Sequence, residues 1–341
     1  MRIFALCTVQ SGSDLLRLIH DRLPLSGIIG LTDRSASDEV SGFVHMAPLA
    51  QSLDVPFIGV EDYSLNKESD RQRLAGLMPD LLLVCGWQRL IPAWLIDQCR
   101  VGAVGIHGSP NGISGGRGRS PQNWAIILGA RRFSISLFFI DPGIDSGAVI
   151  ASRDFPLGDD DTIVSSYVKA TMATADMIAQ ALEEGLFDRG KATPQMGEVY
   201  YLPRRLPEDG AIDWNRSAKE IAGFVAALTR PYPGAFSAWE GARLNVWKAR
   251  PIDVPRPEGA RPGQVLLVCA GGAAIVATAD GVLMLEDWEL VPATLAGFLQ
   301  EGFVLPSADF VSQMRQIIDR HRQRYPDLPL SPDILDAAKL R

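Results

Sequence analysis

Histidine and cysteine are both scarce in this 341-residue chain, four of each, and each scarcity limits what the protein can be. Cys7, Cys85, Cys99 and Cys269 are scattered, with none of the paired spacings of a metal module. A chain of this size rarely depends on a disulfide framework. The cysteines therefore read as small core residues in a reducing cytoplasm, and no metal is expected. Positive charge is also in short supply, with 33 Lys and Arg against 40 Asp and Glu and a net charge of −7. Nothing global favours nucleic acid or an anionic membrane. No apolar stretch is long enough to span a bilayer, and Met1–Leu6 reads as a first strand rather than a signal peptide. No Gly-x-Gly-x-x-Gly follows that strand, which argues against a nicotinamide cofactor. The hydrophobic content of 47% and charged content of 21% are those of an ordinary soluble enzyme.

What is present alternates. Residues 2–8, 27–31, 55–60, 80–85, 101–107 and 133–140 are strand-like runs. Asp80–Cys85 is continuously apolar, as for a strand covered on both faces. Ser11, Gly12, Ser13 and Asp14 offer an N-cap for a helix through Leu15, Leu16, Leu18 and Ile19. Ile163, Tyr167, Ala170, Thr174, Ile178 and Leu182 recur at helical steps after three aspartates at 159–161. The pattern predicts an α/β fold whose N-terminal domain is a doubly wound, Rossmann-like sheet. Proline-punctuated sequence after Tyr200, with short strands at 244–247, 264–268, 274–277 and 282–285, predicts a smaller β-rich, OB-like domain. The expected division is 1–205, 206–305 and a helical tail at 306–341.

His20, His45 and His321 lie among ordinary helix or loop residues. His107 differs. It sits where the run 101–107 enters the glycine-rich sequence Gly108-Ser109-Pro110, and a second apolar run leads into Asp141-Pro142-Gly143-Ile144-Asp145-Ser146-Gly147. Open α/β sheets build ligand sites at such strand ends. Without further context His107 could be a structural histidine, and Asp145 a loop-capping carboxylate.

His107, Arg117-Gly118, Pro121 with Trp124-Ala125-Ile126, and Asp141, Gly143, Asp145 and Gly147 together resemble the folate-dependent formyltransferase family, whose pattern is Asn-x-His, an Arg/Gly loop, Pro-x-x-Trp-Ala-Ile and Asp-x-Gly-x-Asp-x-Gly. The resemblance runs on through Gly210–Trp214, Ala226–Phe236, Pro262–Leu266 and Ala279–Leu283. It implies 10-formyltetrahydrofolate as formyl donor and no metal. The donor would lie on Trp87, Gln88, Leu90, Ile91 and Pro92 and against Asp141, Gly143 and Ile144. His107 would be proton shuttle and oxyanion donor, oriented by Asp145, and Ser109, Asn111, Arg117 and Arg119 would meet the acceptor. Two departures stand out. The family's Asn is Gly105 here, and the loop after His107 is about two residues longer, with Gly108 for the usual proline. Losing a preorganised oxyanion donor typically costs about 10²–10³ in rate. Gln88, Asn111 or Asn123 could replace it, the His107 imidazolium could suffice, or the protein could bind folate without turnover.

The acceptor is read from charge. Between 206 and 300 there are 8 basic and 11 acidic residues, so 8 − 11 = −3, a poor surface for a polyanion. A primary amine on a nucleotide-linked amino sugar is expected, with Arg117 and Arg119 as phosphate contacts. Methionyl-tRNA is the alternative, followed by a siderophore-precursor amine and by formate release without an acceptor. The tail beyond Leu305 is expected either to form a homodimer contact or to cover the small domain.

Overall fold

The computed structural model describes residues 1–32, 40, 42–292 and 299–340. They form two compact units. The first comprises Met1–Gly118, Arg132–Pro156 and Tyr167–Val199, and the second Arg119–Arg131, Leu157–Ser166 and Tyr200–Arg341. The second unit thus includes two segments from the region expected to be one N-terminal domain. No helix among the described residues is long and apolar enough to cross a membrane.

The first unit is built on a seven-stranded sheet of order β3-β2-β1-β4-β5-β7-β8. Its strands are β1 (Ile3–Leu6), β2 (Gly27–Leu31), β3 (Phe57–Val60), β4 (Leu81–Val84), β5 (Gly102–Ser109), β7 (Arg132–Phe139) and β8 (Val149–Pro156). A two-residue strand, β6 (Arg117–Gly118), lies between β5 and β7 in sequence. The first five strands of the sheet are parallel, and β7 and β8 join antiparallel, so the doubly wound sheet is mixed. Strand order reverses between β1 and β4, the switch point at which such sheets form crevices. Buried Leu6, Ile29, Leu82, Val84 and Leu95 form one core cluster.

Helix α1 (Gln10–Ile19) starts earlier than its polar residues suggest, with Val9 at the N-cap and no side-chain cap. Ser13 and Gly12 are buried inside it, and a Cβ on Gly12 would stand 1.9 Å from the Cys85 carbonyl oxygen. The Ser-Gly-Ser sequence therefore serves close packing against the end of β4, not capping. Cys7, Cys85 and Cys99 are buried and free. The Cys7 contact and burial push the Cys85 thiol up, and burial pushes Cys99 up to about 11, which leaves both poor nucleophiles.

The second unit carries a five-stranded antiparallel sheet of order β10-β11-β14-β13-β12. These strands are β10 (Ala235–Trp239), β11 (Ala242–Ile252), β12 (Val265–Val268), β13 (Ala274–Ala277) and β14 (Val282–Val291). Helix α7 (Ala218–Leu228) opens on a Ser217/Glu220 capping box. Trp214, fully buried, anchors a core that also holds Trp124 of α5 (Pro121–Ile127). The segment expected as a separate tail belongs to this core. Helix α8 (Phe310–Arg324) contributes Phe310, Met314, Ile317 and Ile318. Arg205 stacks on Trp124 and Phe224, and burial pulls its guanidinium down to about 10. Buried Asp209 accepts from Arg320 at 2.5 and 2.7 Å.

Candidate active site

His107 stands on β5, which runs two residues past it to Ser109 while paired with β7. The histidine is therefore held within a strand paired to β7, past the point where pairing with β4 ends at Gly105, rather than by a flexible turn. Two glycines make that pairing possible. A Cβ on Gly108 would lie 2.2 Å from the Ser134 carbonyl oxygen, which accounts for the absence of proline there. A Cβ on Gly105 would lie 2.9 Å from Phe138 Cζ and 3.1 Å from Ile140 Cγ1. The room an asparagine would need is filled by Phe138 and Ile140.

The imidazole is anchored on both sides. Nε2 lies 2.8 Å from the Gly116 carbonyl oxygen, which only accepts, so Nε2 carries a proton and donates. Nδ1 lies 3.5 Å from Asp145 Oδ2. That same oxygen accepts from the Gly118 backbone N–H at 2.9 Å. The short segment Gly116–Gly118 thus fixes histidine and aspartate together through main-chain groups. Asp145 adopts φ +47°, a left-handed conformation unusual for any residue but glycine. The Nδ1 contact is the longer of the two, and a carboxylate can only accept there.

The remaining turn residues are chiefly architectural. Asp141 Oδ1 accepts from the Gly143 N–H at 3.0 Å and from the Ser146 hydroxyl. A Cβ on Gly143 would meet Ser146 Oγ at 2.0 Å, so the glycine is required by the turn itself. Ile144 is half-buried within it. In the Gly86–Pro92 loop, Trp87 and Ile91 are buried and Pro92 caps α4 (Ala93–Asp97). Leu90 is exposed, and the Gln88 N–H donates to the Tyr63 hydroxyl at 2.8 Å. The buried Trp87 Nε1 has no hydrogen-bond partner among the described residues. Such a donor, past the end of β4, suits a polar heterocyclic ligand.

The expected acceptor residues divide. Ser109 is buried, and its hydroxyl donates to the Gly112 carbonyl at 2.6 Å and accepts from the Asn111 N–H at 3.2 Å, so it locks a turn. Asn111 is exposed. Arg117 is buried, and its Nε and Nη2 donate to Gln195 Oε1 at 3.2 and 2.8 Å, which corrects its reading as a phosphate contact. Arg119 falls in the second unit, where its N–H donates to the Leu202 carbonyl at 3.1 Å. Asn123 is not a replacement oxyanion donor, because it is buried in the second unit with Nδ2 on the Ala227 carbonyl at 2.7 Å. Trp124, prominent in the sequence pattern, is a core residue whose Nε1 donates to the Pro203 carbonyl at 2.8 Å. Gln195 was absent from the expected site. It lies 50 residues beyond Asp145, and nothing in the local sequence distinguishes it.

Among known proteins, residues 39–182 match the formyl transferase family model and residues 206–294 the formyl transferase C-terminal domain. A methionyl-tRNA formyltransferase from Citrifermentans bemidjiense is 30% identical over 252 residues, covering 70% of this chain and 75% of that protein. Two crystal structures show the shared fold. HypX from Aquifex aeolicus in complex with tetrahydrofolic acid has a TM-score of 0.62 at 20% identity, over 97% of this chain. This chain spans only 58% of the length of HypX. The Helicobacter canadensis N-formyltransferase in complex with folinic acid and dTDP-3-aminofucose has a TM-score of 0.57 at 12% identity, over 84% of this chain and 99% of that one. Two family models in collinear order, and a relative at this identity over most of both chains, place the protein in the formyltransferase family.

Proposed function

We propose that the protein transfers a formyl group from 10-formyltetrahydrofolate to a primary amine on a small acceptor, most simply an amino sugar carried on a nucleotide. The observation that carries the reading is the His107–Asp145 pair, fixed through the backbone of Gly116 and Gly118 at one end of a formyltransferase sheet. Formyl-folate supplies the electrophilic carbonyl carbon. Trp87, Gln88 and Leu90, with the Asp141–Ile144 turn, are the residues proposed to hold it. The unpartnered Trp87 N–H offers it a donor.

The two ring nitrogens of His107 have different tasks in this reading. Nε2 is committed to Gly116 at 2.8 Å, whereas Nδ1 meets Asp145 only at 3.5 Å. The proton that moves is therefore the one on Nδ1, with Asp145 stabilising the imidazolium while it is held. With Nε2 committed, it is this same Nδ1–H that meets the developing oxyanion in place of the absent asparagine before the proton moves, with Gln88 and Asn111 as the side chains to test for assistance.

A small acceptor is favoured by the electrostatics of the second unit. Several of its cations are paired with carboxylates: Arg216 with Glu220, Arg230 with Asp287, Lys248 and Arg250 with a shared Glu286, Arg320 with Asp209. Phosphate-backbone binding needs unpaired cations. Methionyl-tRNA is the second reading, favoured by the Citrifermentans relative.

Mass spectrometry of amino-sugar nucleotides, methionyl-tRNA and acceptor-free controls, each incubated with enzyme and 10-formyltetrahydrofolate, tests both. A formylated sugar nucleotide that disappears with His107→Asn is the expected result. Formylated methionyl-tRNA alone overturns the acceptor. Folate binding without any product, or formate release alone, overturns transfer.

A further inference from the structure

We infer that Gln195, locked by Arg117, is a positioning residue that holds Asp145 in its left-handed conformation for work with His107. The inference rests on the His107–Asp145 reading of the site. Asp145 must keep φ +47°, and its carboxylate contact to Gly118 restrains only the side chain. The backbone is restrained by Gln195, whose Nε2 donates to the Asp145 carbonyl at 2.7 Å and to the Gly147 carbonyl at 2.9 Å. One amide group therefore spans the turn on both sides of Ser146.

Arg117 decides which way that amide faces. Its Nε and Nη2 both point at Gln195 Oε1, so the carboxamide oxygen belongs there and the NH₂ belongs at the carbonyls. The reverse orientation would set NH₂ against a guanidinium and oxygen against two carbonyl oxygens, losing every bond. Arg117 is itself fixed in sequence between the two backbone groups that hold the pair, the Gly116 carbonyl on His107 and the Gly118 N–H on Asp145. Neighbouring contacts complete a strap. Thr193 and Val149 exchange backbone bonds at 2.8 Å, and the Ser114 hydroxyl donates to the Met196 carbonyl at 2.8 Å. Residues 193–196 thereby stitch the acidic turn to the glycine loop.

Gln195→Glu separates positioning from simple stability. A glutamate still gives the buried Arg117 an acceptor, while its second oxygen faces two carbonyl oxygens and can donate nothing. Misplacing a catalytic group by about 1 Å can cost about 10²-fold. The expected result is a kcat lower by about tenfold to a hundredfold, with the KM for formyl donor within about twofold and the melting temperature retained. Amide exchange across 139–149 is expected to quicken, and adding Gln195→Glu to Asp145→Asn is expected to slow transfer no further. Gln195→Met, which removes both partners, should quicken the same exchange. Wild-type exchange across 139–149 in both variants overturns the inference, whether or not an acceptor has been found. Slower transfer with unchanged exchange overturns it too. Quickened exchange in an enzyme without transfer activity supports the positioning and leaves the failure with the functional reading alone.

Discussion

The polar groups at the His107 end of the first unit's sheet and the ion pairs of the second unit are spent differently. In the first, side chains at one end of the sheet bind backbone: His107 to Gly116, Asp145 to Gly118, Gln195 to Asp145 and Gly147. In the second, charged side chains bind one another, from the exposed Lys219–Asp159 and Arg230–Asp287 pairs to the half-buried Arg320–Asp209 pair. Backbone anchors hold a group in place without neutralising it, so its charge remains available for chemistry. Ion pairs neutralise each other and leave little for an anionic partner. The proposed chemistry uses groups of the first kind.

The contrast is sharpest if the Asp145 charge is removed. Asp145→Asn, which tolerates the left-handed backbone and keeps an acceptor for Gly118, is expected to lower transfer by about 10²–10⁴-fold at nearly unchanged folding stability, measured by kcat and urea denaturation. Asp209→Asn should do the reverse. It leaves Arg320 facing a neutral amide at a buried site, and urea denaturation should show a loss of about 2–3 kcal/mol, somewhat below the cost of breaking a fully buried pair. Unchanged stability would mean that the pairs of the second unit are ornamental.

Gly105→Asn probes the boundary between packing and chemistry. Restoring the family residue should not raise the rate, because its side chain meets Phe138 and Ile140, and overpacking of this kind costs about 1–3 kcal/mol. Pairing it with Phe138→Ala should relieve the clash, and a faster double variant would show that the missing donor limits this enzyme. The smallest effect concerns pH. Burial holds His321 below its ordinary value of 6.5, against the pull of its bond to the Leu328 carbonyl. Below about 6.5 the unfolded chain takes up this proton more readily than the folded one, so stability falls as pH drops from there through the folded value. Above 6.5 His321 contributes no pH dependence. Melting temperatures at pH 7.5 and 5.5 should draw apart in the parent and less so in His321→Phe.

Much of this was legible in sequence, because strand alternation and apolar runs report burial directly. The strands at 27–31 and 274–277 lie where the pattern places them, and the helix through Ile163 is found at Ile163–Glu183. β8 is not legible in the sequence because its polar residues, exposed Ser152 and Asp154 among them, break the apolar pattern. β10 was hidden in the proline-rich linker sequence. His107 and Asp145 stood out because each ends an apolar run in a glycine setting. Their surroundings did not. Arg117 looked like an anion ligand until its partner Gln195 appeared from 78 residues away, and Ser109 and Asn123 looked available because hydrogen bonds to main chain leave no mark in a sequence.

The interrupted course of the second unit has a consequence for engineering. The chain passes from one unit to the other at 118/119, 131/132, 156/157, 166/167 and 199/200. A chimera cut near 205, as the sequence boundary would suggest, carries Trp214 away from Trp124 and exchanges half a core. The second unit cannot be exchanged whole at one junction. A viable hybrid must take residues 119–131 and 157–166 from the same parent as everything after 200.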